Sequence, residues 1–321
     1  MKSKVIIRSV KNKHLSAVVG EILDLCGWES IISKGAKVVI KPNLNTPEKE
    51  KVPSANTDPR LIAALCEILK TRTDEIVIGE SDGARFVAEE AFEATDMFDI
   101  AKKYEVKLIN FSKEKTKIVS NSLLNGFELP AALLDADAVI TLPVIKTHAL
   151  TVFTGAIKNQ MGCIPRYDRI LLHKHLDELL ANLNHIIQPQ LAIMDGIIGV
   201  EGRGPTNGKP RRLDLLLGSR DLVALDSTAM RLIGLDPYSA KHVVLASEKG
   251  LGVIDQRQIL IDGDFERYRT DFEPAVLDWA VKYMNYLTRY KWFTKYILLN
   301  DSLFYPTKRL VGRLRDVDIV R

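Results

Sequence analysis

The stretch AKVVIKPNLNTPEKEKVPSANTDPRLIAALCEILKTRTDEIVIGE, residues 36–80, decides the fold. It opens with the β-rich run Ala36–Lys41 and closes with a second one, Glu75–Glu80. Between them a helix begins after the capping residue Asp58, has proline in its first turn and carries an apolar stripe up to Arg72. A strand, a helix and a second strand in this order are typical of a parallel sheet covered by helices.

The same alternation continues along the chain. Further strands are predicted at Lys4–Val10, Val106–Phe111, Asp137–Leu142, Gln190–Met194, Leu213–Gly218 and Ile259–Asp262. Further helices are predicted around 15–26, Val87–Tyr104, His173–Ile187 and Asp221–Leu235. We therefore predict an α/β protein with a mainly parallel, helix-covered sheet in residues 1–270. The pattern divides into two candidate βα lobes with a cleft between them, 1–135 and 136–270, and a helical tail follows over 271–321.

Composition excludes several classes of protein. The chain has 321 residues, of which 46% are hydrophobic and 27% charged, as in an ordinary globular protein. Its three cysteines are an odd number and lie far apart, which favours a reducing compartment over a disulfide framework. We see no signal peptide and no apolar run near the ~20 residues that span a bilayer. The expected location is the cytoplasm.

The charge of the chain is uneven. Residues 282–321 contain nine Lys or Arg and three Asp, interleaved with aromatic residues, whereas the rest of the chain is slightly acidic. An acidic body argues against nucleic acid as a partner. The tail is predicted to be helical from Pro274 onward. It either binds an anionic lipid surface, which would place the protein peripherally on the inner face of a membrane, binds a partner protein, or packs on the body with its lysines in solvent.

The stretch LPVIKTHALTVFTGAIKNQMGCIP, residues 142–165, is the richest in chemistry. Lys146 and His148 are predicted to lie in a loop after a buried strand. Thr154 is predicted to open a helix, with Lys158 and Asn159 one turn further on. Free N–H groups and lysines at a helix start bind phosphate or carboxylate, so we predict an anion there. The alternative is a loop of solvated lysines.

A second polar stretch, DGIIGVEGRGP, covers residues 195–205 and is predicted to be a glycine-rich loop after a strand. Asp195 and Glu201 are candidates to bind Mg²⁺ or to act as a base and its orienting group. Arg203 is a candidate anion clamp. Cys163 is a third metal candidate, although a small buried thiol is the commonest role of such a residue.

Three more polar residues follow predicted strands: Lys41 and Asn43 after one, and Asp82 after the next. In parallel sheets, ligands bind beyond the carboxyl ends of the strands. Lys41 and Asn43 are therefore ligand-binding candidates. Asp82 is either a helix cap or a third carboxylate of the site.

The motifs KTH, GAIKNQMGC and DGIIGVEGRGP, together with IKPNLN and IGESDG, closely resemble the "domain of unknown function 362" family over roughly residues 1–265. Many relatives in that family carry an added ferredoxin-like domain with four-cysteine iron–sulfur motifs. This chain has no CxxCxxC run and hence no self-contained motif of that kind. The resemblance indicates which residues matter and assigns no reaction.

An enzyme that acts on a small anionic metabolite is the favoured hypothesis, with the reaction class unassigned. His148 would transfer the proton, Lys146 or Lys158 would hold substrate charge, and Asp195 and Glu201 would position the histidine or bind Mg²⁺. The alternatives are a redox or iron–sulfur accessory protein, for which Cys163 is the direct support, and a non-catalytic module that binds a metabolite or docks on a membrane.

Overall fold

The computed structural model describes residues 2–83, 86–120, 126–166, 168–204, 208–275, 283, 286–288 and 290–298. Its strands are β1 (Ser3–Ser9), β2 (Val38–Pro42), β3 (Ile76–Glu80), β4 (Lys107–Asn110), β5 (Thr116–Val119), β6 (Phe127–Pro130), β7 (Ala138–Leu142), β8 (Val144–His148), β9 (Val152–Phe153), β10 (Leu191–Glu201), β11 (Lys209–Ser219) and β12 (Ile259–Asp262).

The α-helices of the body cover both faces of the sheet. They are α1 (Leu15–Cys26), α2 (Val52–Ala55), α3 (Pro59–Leu69), α4 (Ala88–Ala94), α5 (Met97–Tyr104), α6 (Ala131–Leu134), α7 (Ala156–Asn159), α8 (Leu176–Ile187), α9 (Leu222–Leu232), α10 (Lys241–Glu248) and α11 (Phe265–Tyr268). A 3-10 segment, Arg169–His175, leads into α8.

One mainly parallel sheet carries the fold, as predicted. Its order among the described residues is β12-β1-β11-β10-β7-β2-β3-β4, with β8 paired to β10 and β9 to β8. The β2 strand pairs in parallel with β3 and β7, and β3 pairs in parallel with β4. The β11 strand is antiparallel to both of its neighbours. Strands from the candidate lobes 1–135 and 136–270 are interleaved within this sheet, because β1 lies between β12 and β11. The proposed boundary at 270 stays a prediction.

Successive residues of a strand point to opposite faces, which builds two apolar layers. Val38 and Ile40 of β2 face a layer that includes buried residues of α1, α3, α4 and α5. Val39 between them faces the layer that includes buried residues of α8, α9 and α10. The central strands are therefore apolar on both sides, which explains their nearly unbroken hydrophobic runs.

The connections of β2 and β7, which are paired neighbours in the sheet, leave in opposite directions. From β2 the chain proceeds outward to β3 and then to β4, but β7 lies on the opposite side of β2. The carboxyl ends of two such strands open a crevice, because their connections leave in opposite directions. Pro42 and Leu142 are paired at these two strand ends. The α7 helix, which follows soon after β7, packs near this crevice.

Three local predictions are wrong. The KTH segment is strand β8 rather than loop, and His148 is its last residue. The predicted loop from Asp195 continues as β10 as far as Glu201, with an irregularity in pairing near Gly196. The helix predicted over Val87–Tyr104 is two helices, because Asp96 between them adopts a left-handed backbone with φ of 55°.

Much of the predicted tail helix lies outside the described residues. Lys291–Phe293 is a short helix followed by the π-helical turn Thr294–Leu298. Five aromatic side chains of this segment are exposed: Tyr283, Tyr286, Tyr290, Trp292 and Tyr296. Within the part of the chain that the structure covers, none of the helices is both long and apolar enough to cross a membrane.

Candidate functional site

A buried ion pair forms the floor of the crevice. Lys41 is the penultimate residue of β2, and Glu80 is the last residue of β3. The Lys41 Nζ donates to Glu80 Oε2 at 2.7 Å, and both side chains are buried. Glu80 also accepts the backbone N–H groups of Ser81 at 3.0 Å and Leu44 at 3.2 Å. The predicted anion ligand Lys41 thus already has an internal carboxylate, although it lines the cleft.

Gly162 covers this pair at a distance that only glycine allows. A Cβ on Gly162 would lie 2.4 Å from Glu80 Oε1 and 2.7 Å from Lys41 Nζ. The Ser81 hydroxyl holds the chain in place by donating to the Gly162 carbonyl at 2.8 Å. The glycine in GAIKNQMGC is therefore required by packing against the ion pair.

Two asparagines tie the strand ends to α7. Asn159 Nδ2 donates to the Lys41 carbonyl at 3.1 Å and to the Thr141 hydroxyl at 2.8 Å, which joins β2 to β7. Asn43 Nδ2 donates to Asn159 Oδ1 at 3.1 Å. Because these amides hydrogen-bond to each other and to the strand ends, they fix the geometry of the cleft, and these groups are already engaged without a ligand.

Lys146 and His148 point from β8 into the same region. The Lys146 ammonium donates to Asn43 Oδ1 and to the Ala55 carbonyl, and burial followed by repulsion from Lys158 lowers its pKa to about 7. His148 Nδ1 accepts the N–H groups of Leu150 and Thr151, so the neutral ring carries its proton on Nε2. Burial lowers the pKa of His148 well below its usual value.

The start of α7 is occupied by an internal anion. The N–H groups of Ala156 and Ile157 donate to the two carboxylate oxygens of Asp226 at 2.6 and 3.0 Å. Asp226 is fully buried, and burial raises its pKa to about 7. The prediction that an external anion binds these helix N–H groups is therefore wrong. Asp226 supplies the negative charge.

Above this floor lies a cleft of about 250 Å³. Six residues singled out by the sequence line it: Lys41, Asn43, His148, Thr154, Lys158 and Asn159. Arg169 and His173 close the cleft from the 3-10 segment. The Thr154 hydroxyl is buried there and has no hydrogen-bond partner among the described residues. Lys146 lies beneath the cleft and is fully buried.

Lys158 and Arg169 give the cleft two cations that no described carboxylate contacts directly. Neither forms an ion pair with a described residue, although the charges of Glu80 and Asp82 act on Arg169 from further away. The side chain of Arg169 donates from Nη1 to the Ile164 carbonyl at 3.1 Å. Burial, reinforced by Arg169, lowers the pKa of Lys158 to about 8. Burial and then Lys158 lower the pKa of His173 to about 4, which leaves that ring neutral. Glu80 is the sole carboxylate among the described lining residues, and Lys41 neutralises it.

The carboxylates of β10 lie outside the described lining of the cleft. Asp195 accepts the N–H groups of Asp58 at 2.8 Å and Ile197 at 2.9 Å, and burial raises its pKa to about 7. It lies near enough to Lys146 for the two charges to interact. Glu201 accepts the N–H of Glu273 at 3.1 Å. The exposed Arg203 follows β10 and lies outside the described lining of the cleft.

The remaining candidates have structural partners. Asp82 accepts the N–H of Ala88 at 2.8 Å, which caps the start of α4. Cys163 is buried, its thiol approaches Gln160 Oε1 at 3.5 Å, and burial raises its pKa to about 12. Across the described residues, no three His, Cys, Asp or Glu side chains are grouped to hold a metal ion. That part of the chain therefore contains no group of side chains that would hold the predicted Mg²⁺ ion or an iron–sulfur centre.

Sequence reasoning missed four of the residues that shape the cleft. Arg169 and His173 reach it through tertiary packing of a 3-10 segment that has no strand before it, so no local pattern marked them. Glu80 did carry a signal, because a carboxylate that ends an apolar strand requires a partner when it is buried. Gly162 was recognised as part of a motif but not as a contact of the ion pair.

The fold and the cleft together define an α/β protein with a small, positively charged crevice at a switch point of a mainly parallel sheet. The chain belongs to the family Domain of unknown function (DUF362), which matches residues 38–231. It is also similar to a thylakoid-associated protein of Synechocystis sp., with 31% identity over 242 residues, which are 71% of this chain and 72% of the relative.

Two solved structures show a weaker likeness. The lactate racemase apoprotein from Thermoanaerobacterium thermosaccharolyticum aligns with a TM-score of 0.43 and 15% identity, over 68% of this chain and 55% of that one. A protein from Thermotoga maritima aligns with a TM-score of 0.39 and 12% identity, over 73% of this chain and 58% of that one. This chain thus spans little more than half of either structure.

Proposed function

We propose that the protein is an enzyme that binds a small metabolite bearing a carboxylate or phosphate group in the cleft at the ends of β2, β3 and β8, next to α7. The observation that carries this proposal is the pair Lys158 and Arg169, two cations that line the cleft with no carboxylate partner among the described residues. Both side chains are half-buried, and a partly desolvated cation without a counter-charge is costly. A bound anion lowers that cost. The size of the cleft, about 250 Å³, suits a small ligand.

The neutral groups of the cleft suit a catalytic role. His148 presents Nε2–H, because its Nδ1 accepts two backbone N–H groups. Such a donor can orient an oxygen of the ligand, and stabilise negative charge on it, by a hydrogen bond that adds no positive charge. The Thr154 hydroxyl offers one more donor or acceptor. The ligand would thus be held by charge at Lys158 and Arg169 and oriented by hydrogen bonds at His148 and Thr154.

Sulfate, phosphate and oxalate test the proposal by isothermal titration calorimetry and thermal shift. We expect binding to the wild type and a loss of about 10–100-fold in affinity in Lys158→Met, because a hydrogen bond to a charged group contributes about 1.5–3 kcal/mol. The matched control is Lys249→Met, which removes an exposed lysine away from the cleft. Equal affinity in Lys158→Met and wild type, or no binding of any of the three anions, would overturn the proposal.

A second candidate function is peripheral attachment to an anionic membrane surface through residues 283–296. The five exposed aromatic side chains of that segment favour it, and its sequence places Arg289, Lys291 and Lys295 among them. Rings of this kind settle at headgroup depth, while cations attract anionic lipid. The similar Synechocystis protein is named for its association with thylakoids.

Vesicle flotation with and without anionic lipid tests this attachment. We expect the double variant Trp292→Ser with Tyr296→Ser to float several-fold less than wild type on anionic vesicles. Tyr238→Ser is the matched control, since Tyr238 is equally exposed but lies on the body of the protein. Failure of the wild type to float, or equal flotation of the double variant, contradicts a membrane role.

A further inference from the structure

We propose that Lys158 is a nucleophile that forms an imine with the carbonyl carbon of a small 2-oxo acid, whose carboxylate binds Arg169. This inference rests on the proposed function in one respect, namely that the substrate enters as an anion. It adds a substrate class and a covalent step. The lysines of the crevice differ in whether their amines are available for reaction.

Three lysines converge on the cleft, and two of them are already engaged. Lys41 donates to Glu80 at 2.7 Å and to the Pro42 carbonyl at 2.6 Å. Lys146 donates to Asn43 and Ala55 and is fully buried beneath the cleft. Lys158 alone of the three has neither an ion pair nor a hydrogen bond from its ammonium to a described residue, and it lines the cleft.

The backbone around Lys158 is held firmly. Its one-turn helix is fixed at the start by Asp226, through the N–H groups of Ala156 and Ile157. The next residue, Asn159, is bonded to β2 and β7. A nucleophile requires a defined position relative to its substrate, and this arrangement supplies it while leaving the side chain free.

The surroundings of Lys158 favour the neutral amine. Arg169 is next to it, the rings of His148 and His173 are neutral, and Lys146 lies below. The pKa of about 8 means that about a quarter of Lys158 is unprotonated at pH 7.5, against about one in a thousand for an ordinary surface lysine. A lysine desolvated beside another cation is the arrangement that activates amines for attack on carbonyl groups.

Arg169 supplies the place for a carboxylate. Its Nη1 is bonded to the Ile164 carbonyl, which leaves the Nε and Nη2 edge for a two-pronged contact. No described carboxylate bonds to this edge: Glu80, whose charge acts on Arg169, forms its ion pair with Lys41. A carbonyl group next to the bound carboxylate would then face the amine of Lys158, with the Nε2–H of His148 available to its oxygen.

The step balances without an added reagent. The nitrogen lone pair of Lys158 forms a bond to the carbonyl carbon, and the oxygen takes a proton to give a carbinolamine. The oxygen then leaves as water after accepting a second proton, and a carbon–nitrogen double bond remains. The two protons come from the amine nitrogen, so the net change is amine plus carbonyl to imine plus water.

Reductive trapping with pyruvate tests the inference. Wild-type protein is incubated with pyruvate and sodium borohydride at pH 8, digested and mapped by mass spectrometry. We expect N-(1-carboxyethyl) modification of Lys158 at least tenfold faster than of the exposed Lys249. In Arg169→Met the rate with pyruvate should fall at least tenfold more than the rate with acetone, which has no carboxylate and reports only the change in the reactivity of Lys158.

The Lys158→Arg variant separates this inference from the proposed function. It should keep its affinity for oxalate within about threefold and lose the trapped adduct in the cleft. If wild type binds oxalate but Lys158 is labelled no faster than Lys249, the imine is ruled out and the anion site stands. If the wild type neither binds oxalate nor is labelled, both proposals fail. An equal effect of Arg169→Met on pyruvate and acetone contradicts the carboxylate contact.

Discussion

Two regions of this chain are rich in polar residues and look alike in sequence, but their polar groups differ in what they bind. In the cleft, Lys158 and Arg169 form no ion pair with a described carboxylate. In β10, Asp195 and Glu201 accept backbone N–H groups from Asp58, Ile197 and Glu273. A polar residue after a strand is thus a site candidate only if its hydrogen-bonding capacity is not already used by the fold.

The largest expected effect concerns the floor of the cleft. Glu80→Gln should lower the free energy of unfolding by about 3–5 kcal/mol, because it leaves the Lys41 charge buried without its partner. Denaturant unfolding measures this loss. The double variant Glu80→Gln with Lys41→Met is the control and should recover part of it. If Glu80→Gln instead binds oxalate more tightly at little cost in stability, Lys41 is a ligand-binding cation like Lys158.

Next in size is the β10 region. Asp195→Ala should cost about 1–3 kcal/mol of stability, because the N–H groups of Asp58 and Ile197 lose their acceptor. Its affinity for oxalate should stay within twofold of wild type, since Asp195 lies outside the described lining of the cleft. Calorimetry on the folded variant measures that affinity. A tenfold loss of oxalate affinity would show that Asp195 and the cleft belong to a single site.

The third prediction is the pH dependence of anion binding. Lys158 binds an anion as the ammonium ion, and its pKa in the free protein is about 8. Affinity for sulfate should be constant below that pH and should fall as pH rises above it, up to about tenfold, or 1.4 kcal/mol, per pH unit. Lys158→Arg should bind sulfate equally well from pH 7 to pH 10. A flat wild-type profile over that range contradicts a role for the lysine charge.

The sequence predicts the parts of the structure that depend on neighbouring residues, and it fails where a residue depends on partners distant in sequence. The mainly parallel sheet and the capped start of α3 follow from runs of apolar residues and from Asp58, and both are present. The strand β8 was missed because Lys146 and His148 looked like loop residues. They are buried in a strand since Asn43, Ala55 and two backbone N–H groups satisfy them. Those partners are distant in sequence or depend on the fold.

The smallest expected effect belongs to Glu201. Glu201→Gln keeps an acceptor for the N–H of Glu273 and loses only a partly exposed attraction to Arg211, at 3.7 Å. Stability should change by about 0.5 kcal/mol or less, as for other surface pairs. Affinity for oxalate should not change. A hundredfold loss of turnover in this variant, once a substrate is known, would return Glu201 to the catalytic residues.

Asp226 limits how small a working copy of this cleft can be. The residues that line the cleft come mostly from 41–173, yet the one-turn helix that carries Lys158 is anchored by a side chain of α9, near the carboxyl limit of the family match at residue 231. A graft of residues 142–165 into another scaffold would transplant the motif without its anchor. The segment that would have to be transferred is therefore the whole span from β2 through α9, and residues 142–165 alone are not sufficient.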